Sequence, residues 1–96
     1  MKALIGDVVV AEADDADIIS IEGNSYFPPS ALEQDAFSES PTPYTCPWKG
    51  AAQYWNVNGN TDAAWSYPQI LPSAVERVGK DFAGYVAFDK RQVTVG

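Results

Sequence analysis

The residues best suited to chemistry lie in one short stretch in the middle of the chain, Cys46-Pro47-Trp48-Lys49-Gly50. Lys49 is the only cation between residues 3 and 76. A lone ammonium group next to an aromatic ring and a thiol can activate that thiol as a nucleophile, or it can pair with an anionic group of a ligand. Two structural interpretations stay open: Cys46 as a small buried apolar side chain, and Lys49 as the partner of an acidic side chain.

Aromatic residues are concentrated around this stretch. Half of the twelve aromatic residues lie between Tyr44 and Tyr67, and the first 25 residues contain none. The segment 58–60 (Asn-Gly-Asn) predicts a hairpin turn, which places Tyr54-Trp55 on a strand adjacent to the one with Trp65 and Tyr67. Side chains alternate along a strand, so Tyr54 and Trp55 point to opposite faces, whereas Trp65 and Tyr67 share one. These rings either fill the core or form a stacking platform for a flat or sugar-like ligand.

Carboxylates offer a second kind of chemistry. Asp14, Asp15 and Asp17 include an Asp-x-Asp pair, a spacing that can hold Mg²⁺ in phosphoryl or nucleotidyl transfer. The alternative is a solvated turn between two strands. The chain has no glycine-rich loop of the kind that cradles phosphates, which favours the solvated turn.

Composition excludes several classes of function. The chain has 96 residues, no histidine, one cysteine and a formal charge of −7. An internal disulfide, an ordinary zinc site and an imidazole base are therefore excluded. The acidic balance, with a net −8 in residues 1–40, argues against nucleic-acid binding. The sequence shows neither a membrane-spanning apolar run nor a signal peptide, so we predict a cytoplasmic protein.

Turn residues and short apolar runs predict the elements that position these side chains. Strands are expected at 2–5, 8–11, 18–22, 50–57, 63–67, 85–88 and 92–95, with turns at Gly6-Asp7 and Gly23-Asn24. Two capping-box patterns predict short helices over 30–37 and 73–78, with Ser30 and Ser73 as their N-cap residues. The segment 38–47, with three prolines, is predicted to be a loop. The pattern indicates a mainly β protein: a single domain over 1–96, built as a small antiparallel sheet with one or two short helices.

Several motifs in fixed order resemble a known family. They are Gly23-Asn24-x-Tyr26-Phe27-Pro28, Cys46-Pro47-Trp48-Lys49-Gly50-x-Ala52-x-Tyr54-Trp55, Ala64-Trp65-x-Tyr67-Pro68 and Gly84-Tyr85-Val86-Ala87-Phe88. Together they resemble the small bacterial and fungal domain of unknown function number 427, also labelled a nucleotidyltransferase domain of unknown function. The resemblance implies a β-tent-like architecture. The cysteine pairs that bind metal in that architecture are missing, so the domain is expected to be zinc-free, and no metal or cofactor is predicted.

Residues that match the family motifs are the candidate ligand-binding residues: Tyr26, Cys46, Lys49, Tyr54, Trp65 and Tyr67. Their types suit an aromatic pocket with one cation, which can stack a planar group and neutralise a carboxylate or phosphate. The leading hypothesis is therefore a domain that binds a small anionic or planar ligand around Lys49. One alternative is a protein-interaction or homodimer module, because the rings exceed what so small a core can hide. Another is a transferase-like enzyme that uses the Cys46 thiol or Mg²⁺.

Overall fold

The computed structural model describes residues 1–96 and contains nine strands, one α-helix and three short 3-10 turns. The elements in chain order are β1 (Lys2–Ile5), β2 (Val8–Glu12), β3 (Ile19–Ile21), β4 (Asn24–Tyr26), β5 (Phe37–Cys46), β6 (Gly50–Val57), β7 (Asn60–Ser66), α1 (Pro72–Val78), β8 (Val86–Phe88) and β9 (Thr94–Val95). The mainly antiparallel β fold predicted from the sequence is confirmed. The one α-helix has seven residues, and no helix has the length and apolar character needed to cross a membrane.

The largest sheet has four strands in the order β5-β6-β7-β8, and every pairing is antiparallel. Strands β6 and β7 meet at the predicted Asn58-Gly59 turn, where both residues have positive φ, as the two-residue hairpin turn requires. This register puts Tyr54 directly opposite Trp65. The sequence predicted that these two rings lie on adjacent strands, and the pairing confirms it.

Two smaller units complete the fold. Strands β2, β1 and β9 form a three-stranded antiparallel sheet, and β3 pairs with β4 as a separate hairpin. The β3–β4 hairpin is linked to the four-stranded sheet by paired backbone hydrogen bonds between Phe27 and Val86. The β3–β4 turn consists of Glu22 and Gly23, both with positive φ, whereas Asn24 already belongs to β4. The predicted turn at Gly23-Asn24 is therefore displaced by one residue.

Two hydrophobic clusters lie against the four-stranded sheet. Consecutive residues of β8 divide between them: Val86 and Phe88 belong to the first cluster, and Ala87 belongs to the second. Because strand side chains alternate, the clusters occupy opposite faces of the sheet. Trp55 packs against the first cluster and Trp65 against the second, so the predicted division of rings between the two faces is confirmed.

The predicted helix over 30–37 is wrong. This segment contains two 3-10 turns, Pro29–Ala31 and Gln34–Ala36, and neither has a side-chain cap. The backbone N–H of Glu33 donates to the carbonyl of Val10 at 2.9 Å, and Leu32 bridges to Ala11 of β2. These tertiary hydrogen bonds use the groups that a helix would need, so the capping-box pattern does not determine the structure here.

The predicted loop over 38–47 is also wrong, because these residues form most of the ten-residue strand β5. β5 is an edge strand, where a proline loses no ladder hydrogen bond if it faces outward, and its pairing with β6 is interrupted between Glu39 and Pro43. Helix α1 does form as predicted, although it begins at Pro72 and Ser73 does not cap it. Its C-terminus is closed by Gly79 in the left-handed conformation.

Candidate functional site

An open cavity of about 200 Å³ lies between the β3–β4 hairpin and the four-stranded sheet. We call it the aromatic cavity. Five of its seven lining residues are tyrosine or tryptophan, and the other two are Asn24 and Lys49; the five are Tyr26, Tyr44, Tyr54, Trp65 and Tyr67. Strands β4, β5, β6 and β7, together with the residue that follows β7, therefore contribute side chains to one small space.

The strand register explains why these rings meet. Tyr54 and Trp65 are cross-strand partners whose ring centroids lie 6.4 Å apart, and Tyr67 lies two residues after Trp65 on the same face. Tyr26 and Tyr67 both pack edge-on against the buried ring of Phe82, at 6.0 and 6.4 Å between centroids. The walls of the cavity are thus held by core packing, which limits the freedom of the rings before any ligand binds.

Three phenol hydroxyls of this cavity, those of Tyr26, Tyr54 and Tyr67, stay protonated well above neutral pH. Burial raises the pKa of Tyr26, Tyr54 and Tyr67 above the usual value for tyrosine; for Tyr26, the hydrogen bond from Trp65 and the charge of Lys49 offset part of that effect. The indole Nε1 of Trp65 donates to the Tyr26 hydroxyl at 3.1 Å. Because that hydroxyl accepts a hydrogen bond here, its own proton remains available to an acceptor in the cavity.

Lys49 is buried at one end of the aromatic cavity. Its Nζ donates to a carboxylate oxygen of Glu22, lies 3.8 Å from the Sγ of Cys46, and lies 4.4 and 5.5 Å from the ring centroids of Trp48 and Tyr67. Burial alone lowers the pKa of Lys49, but the hydrogen bond to Glu22 and the neighbouring groups raise it by more, so the net shift is upward. Lys49 is therefore a fixed positive charge among rings at neutral pH.

The hairpin that closes the aromatic cavity is attached by two lysines of the C-terminal half of the chain. Lys49 pairs with Glu22, and the Nζ of Lys90 donates to the carbonyl of Gly23 at 2.8 Å. Both contacts are made to the turn between β3 and β4, immediately before Asn24. The two lysines thus hold the turn against the four-stranded sheet, and they position Asn24 on the cavity wall.

Five of the six residues predicted from the sequence line the aromatic cavity, and the sixth, Cys46, does not. Cys46 is a buried free thiol beside Lys49 and belongs to the second hydrophobic cluster. Sequence reasoning missed two lining residues, Asn24 and Tyr44. Asn24 belongs to the first family motif and Tyr44 to the aromatic-rich segment 44–67. Neither pattern indicates that the fold brings these two residues close to Lys49.

The other candidates from the sequence are dispersed. Asp15 pairs with the N-terminal amine of Met1 at 3.1 Å, and nowhere do three or more His, Cys, Asp or Glu side chains group to hold a metal ion.

Among the twelve aromatic residues, only Tyr44 is a largely exposed ring, at 48%. The surplus of rings that motivated the interaction-module hypothesis is therefore accommodated by two cores and the walls of the aromatic cavity.

Comparison with known families gives one match, to the model described as Domain of unknown function (DUF427), over residues 1–96. The match spans every motif on which the resemblance was based, from Gly23 to Phe88, and also covers the N-terminal strands. A search of curated proteins gives no match to this chain. The family description assigns no activity, so the function has to be inferred from the geometry of the site.

Proposed function

Because the chain belongs to the DUF427 family, whose description carries no activity, we propose a function from its aromatic cavity: the domain binds a small, planar, anionic ligand there. The observation that supports this most directly is the position of Lys49, a buried cation at the end of a cavity whose other walls are mostly aromatic rings. An acidic group would lie at Lys49, and the planar part would lie between the rings.

The hydrogen-bonding groups of the aromatic cavity fit an anion. The ammonium of Lys49 has three N–H donors, of which one goes to Glu22 and one to the Sγ of Cys46 at 3.8 Å, so one is left for a ligand. The Tyr26 hydroxyl keeps its proton free, and burial keeps the phenol of Tyr67 protonated. Several donors with few acceptors near one cation are complementary to the oxygens of a carboxylate or phosphate.

The size of the aromatic cavity favours a single ring. Its volume of about 200 Å³ is below the roughly 300–1,000 Å³ common for drug-sized ligands. Glu22 does not line the cavity, and its side chain is 57% exposed, so it can stay paired with Lys49 or turn into solvent when an anion arrives. A one-ring carboxylate is therefore a suitable probe.

We test this proposal by titrating benzoate and following the indole N–H signals of the three tryptophans by nuclear magnetic resonance. Trp65 lines the cavity and should shift, with a dissociation constant of about 1 mM or tighter. Trp55, whose Nε1 donates to Ser66 at 3.0 Å on the other face, serves as an internal reference. Benzamide removes the charge and cyclohexanecarboxylate removes the flat ring, so both should bind at least tenfold more weakly.

The matched variants are Lys49→Met and Lys80→Met. Methionine keeps the length of the buried lysine stem, and the partner left behind, Glu22, is 57% exposed, so water can solvate its charge. We expect Lys49→Met to weaken benzoate binding at least tenfold, and Lys80→Met, at an exposed position, to leave it unchanged. Equal affinity in the wild type and Lys49→Met, or no Trp65 shift at all, would contradict the proposal.

A cytoplasmic location is part of the same proposal. Its support is the single cysteine, Cys46, which is a free thiol in the structure and which a reducing compartment would preserve. The interaction module and the transferase-like enzyme remain alternatives to ligand binding. The Nζ of Lys49 lies 3.8 Å from the Sγ of Cys46, as a thiol enzyme would need, but that thiol is buried and does not line the aromatic cavity. No contact in the structure favours the interaction module or the Mg²⁺ enzyme, because the rings are packed and the aspartates of residues 14–17 form no metal cluster.

A further inference from the structure

A second, larger cavity of about 560 Å³ adjoins the aromatic cavity. We call it the polar cavity. It shares Asn24, Tyr54 and Trp65 with the aromatic cavity, so the two spaces have a common wall. Apart from three aromatic side chains, every residue that lines the polar cavity is polar or charged. A cleft that is aromatic at one end and polar at the other is suited to a ligand with two chemically different parts.

Asp62 is the unusual residue of the polar cavity. Its backbone is in the left-handed region, with φ at +53°, where few residues other than glycine, asparagine and aspartate are found. Its N–H donates to the side chain of Asn56 at 3.1 Å, and its Oδ2 accepts from Thr42 at 2.8 Å. Its Oδ1 is buried and makes no hydrogen bond, which is true of no other buried side-chain nitrogen or oxygen. An unpaired buried acceptor is costly, and a ligand donor would satisfy it.

The other charged side chains around the polar cavity already have hydrogen-bond partners. Asp89 accepts from Arg91 through both carboxylate oxygens at 3.1 Å, and Lys90 is occupied by the carbonyl of Gly23. Two acidic and two basic side chains line the cavity, so its formal charge is zero. A neutral group with several hydroxyls therefore fits better than a second anion, because it can donate to Asp62 without an unpaired charge of its own.

We propose that the polar cavity is a subsite for a neutral, hydroxyl-rich ring of the sugar type, with Asp62 accepting a hydrogen bond from one hydroxyl. Asp62 lines the cavity, and its carboxylate can adjust to a ligand hydroxyl by rotating about its Cβ–Cγ bond, which is a soft torsion. The apolar face of the sugar ring lies against Tyr54 and Trp65, which form the common wall. This inference rests on the proposed function in that the planar anionic part of the same ligand occupies the aromatic cavity.

The experiment uses three kinds of probe on the intact protein. Benzoate tests the aromatic cavity, methyl β-D-glucopyranoside and its galacto and manno counterparts test the polar cavity, and 4-carboxyphenyl β-D-glucopyranoside tests both. The Trp65 indole signal again reports binding, with Trp55 on the other face of the sheet as the reference. We expect at least one methyl glycoside to shift Trp65 at high millimolar concentration. We expect the probe that carries both parts to bind at least tenfold more tightly than either alone.

Three variants test the role of Asp62. Asp62→Asn and Asp62→Gly both tolerate a left-handed backbone, and Asp7→Asn removes the same charge from an exposed turn on another sheet. We expect Asp62→Gly to weaken the glycoside about tenfold and Asp62→Asn to weaken it by a smaller factor, with Asp7→Asn unchanged. Benzoate affinity should stay within twofold of the wild type in all three variants.

The outcomes separate this inference from the proposed function. Benzoate binding without any glycoside binding would overturn the inference and leave the proposed function intact. Glycoside binding that Asp62→Gly and Asp62→Asn do not weaken would also overturn it. Glycoside binding that depends on Asp62, in a protein that does not bind benzoate, would support the sugar subsite and contradict the proposed function.

Discussion

Lys49 is a buried cation whose neighbours determine what it can do. Burial on its own lowers the pKa of the Lys49 ammonium, because it disfavours the charged form. Here Glu22 supplies an anion, and the faces of Trp48 and Tyr67 lie within 4.4 and 5.5 Å of Nζ. These contacts keep the positive charge present while the surrounding rings exclude water. An anion that reaches Lys49 is therefore bound more strongly than it would be at the surface.

Glu22 is thus both the partner of Lys49 and the competitor of any anionic ligand. We expect Glu22→Gln to tighten benzoate binding about fivefold, because the glutamine leaves the lysine charge uncompensated. The same change should lower the free energy of unfolding by about 1 kcal/mol, since Glu22 is half exposed and the pair is partly screened. Titration of benzoate and urea unfolding of the same samples measure the two effects.

The matched control for Glu22→Gln is Glu33→Gln, an exposed carboxylate that pairs with no cation. It should change neither the affinity for benzoate nor the free energy of unfolding. If Glu22→Gln weakened benzoate binding, the role of Glu22 would be to hold Lys49 in place for the ligand. The prediction that Glu22 competes with the ligand would then be wrong.

At the scale of single residues, the sequence predicted the rings around Lys49 better than it predicted the polar cavity. An isolated lysine in an aromatic segment is a visible signal, and five of the six residues taken from the family motifs line the cavity that contains this lysine. Asp62 was not chosen from the sequence, because it lies between the predicted turn at 58–60 and the predicted strand at 63–67, where an aspartate draws no attention. Its left-handed backbone and unpaired Oδ1 depend on the contacts of Asn56 and Thr42, which no local pattern contains.

At the scale of elements, β6 and its turns place the site. Gly50 begins β6 with φ at +121°, and a Cβ on it would lie 3.0 Å from the carbonyl oxygen of Gln69. Next to it, the carbonyl of Lys49 accepts a hydrogen bond from the N–H of Leu71 at 3.1 Å. The segment 69–71 therefore packs directly on the backbone that carries Lys49, and only glycine allows this approach.

We expect Gly50→Ala to lower the free energy of unfolding by about 2–3 kcal/mol, because it adds a backbone contact to an unfavourable conformation. Gly59→Ala is the matched control. Gly59 also has a positive φ, +80°, but a Cβ there would meet nothing within 4 Å, so the cost should be about 1 kcal/mol. Urea unfolding of both variants measures the difference, and equal losses would show that the contact with Gln69 is not tight.

The elements were predictable where the signal is local. The Asn58-Gly59 turn and the strand over 50–57 follow from two-residue turn chemistry and the pattern of side chains, and both are confirmed. The segment 30–37 and strand β5 were mispredicted for the opposite reason. The N–H of Glu33 donates to the carbonyl of Val10 in β2. The prolines of β5 are tolerated only because β5 lies at the edge of its sheet. Both facts depend on residues distant in the sequence.

For the whole molecule, the uneven charge distribution has a structural use. Residues 1–40 have a net charge of −8 and residues 41–96 a net charge of +1. Lys49 and Lys90, both from the second part, attach to the turn at Glu22 and Gly23 in the first part. The two cavities lie beside this junction and share Asn24 from the attached hairpin. The site is thus formed by long-range contacts, so its integrity should follow the stability of the whole domain.

The groups of the aromatic cavity determine how this stability changes with pH. The pKa of Lys49 and those of Tyr26, Tyr54 and Tyr67 are all raised in the folded protein. Unfolded lysine and tyrosine lose their protons near pH 10. Between that value and the higher folded pKa values, the unfolded chain binds fewer protons than the folded protein, so stability falls as the pH rises. Below the unfolded pKa values the contribution of these groups is fully present.

We therefore expect the free energy of unfolding by urea to fall as the pH rises above about 10, with the steepest loss where tyrosine absorbance shows ionisation. Tyr67→Phe keeps the ring and removes one titrating group whose pKa burial raises. It should reduce the alkaline slope by at most about 1.4 kcal/mol per pH unit, the value for one proton. A slope that Tyr67→Phe leaves unchanged would mean that the Tyr67 phenol is solvated in the folded protein, and the aromatic cavity would then be wetter and less selective for a flat ring.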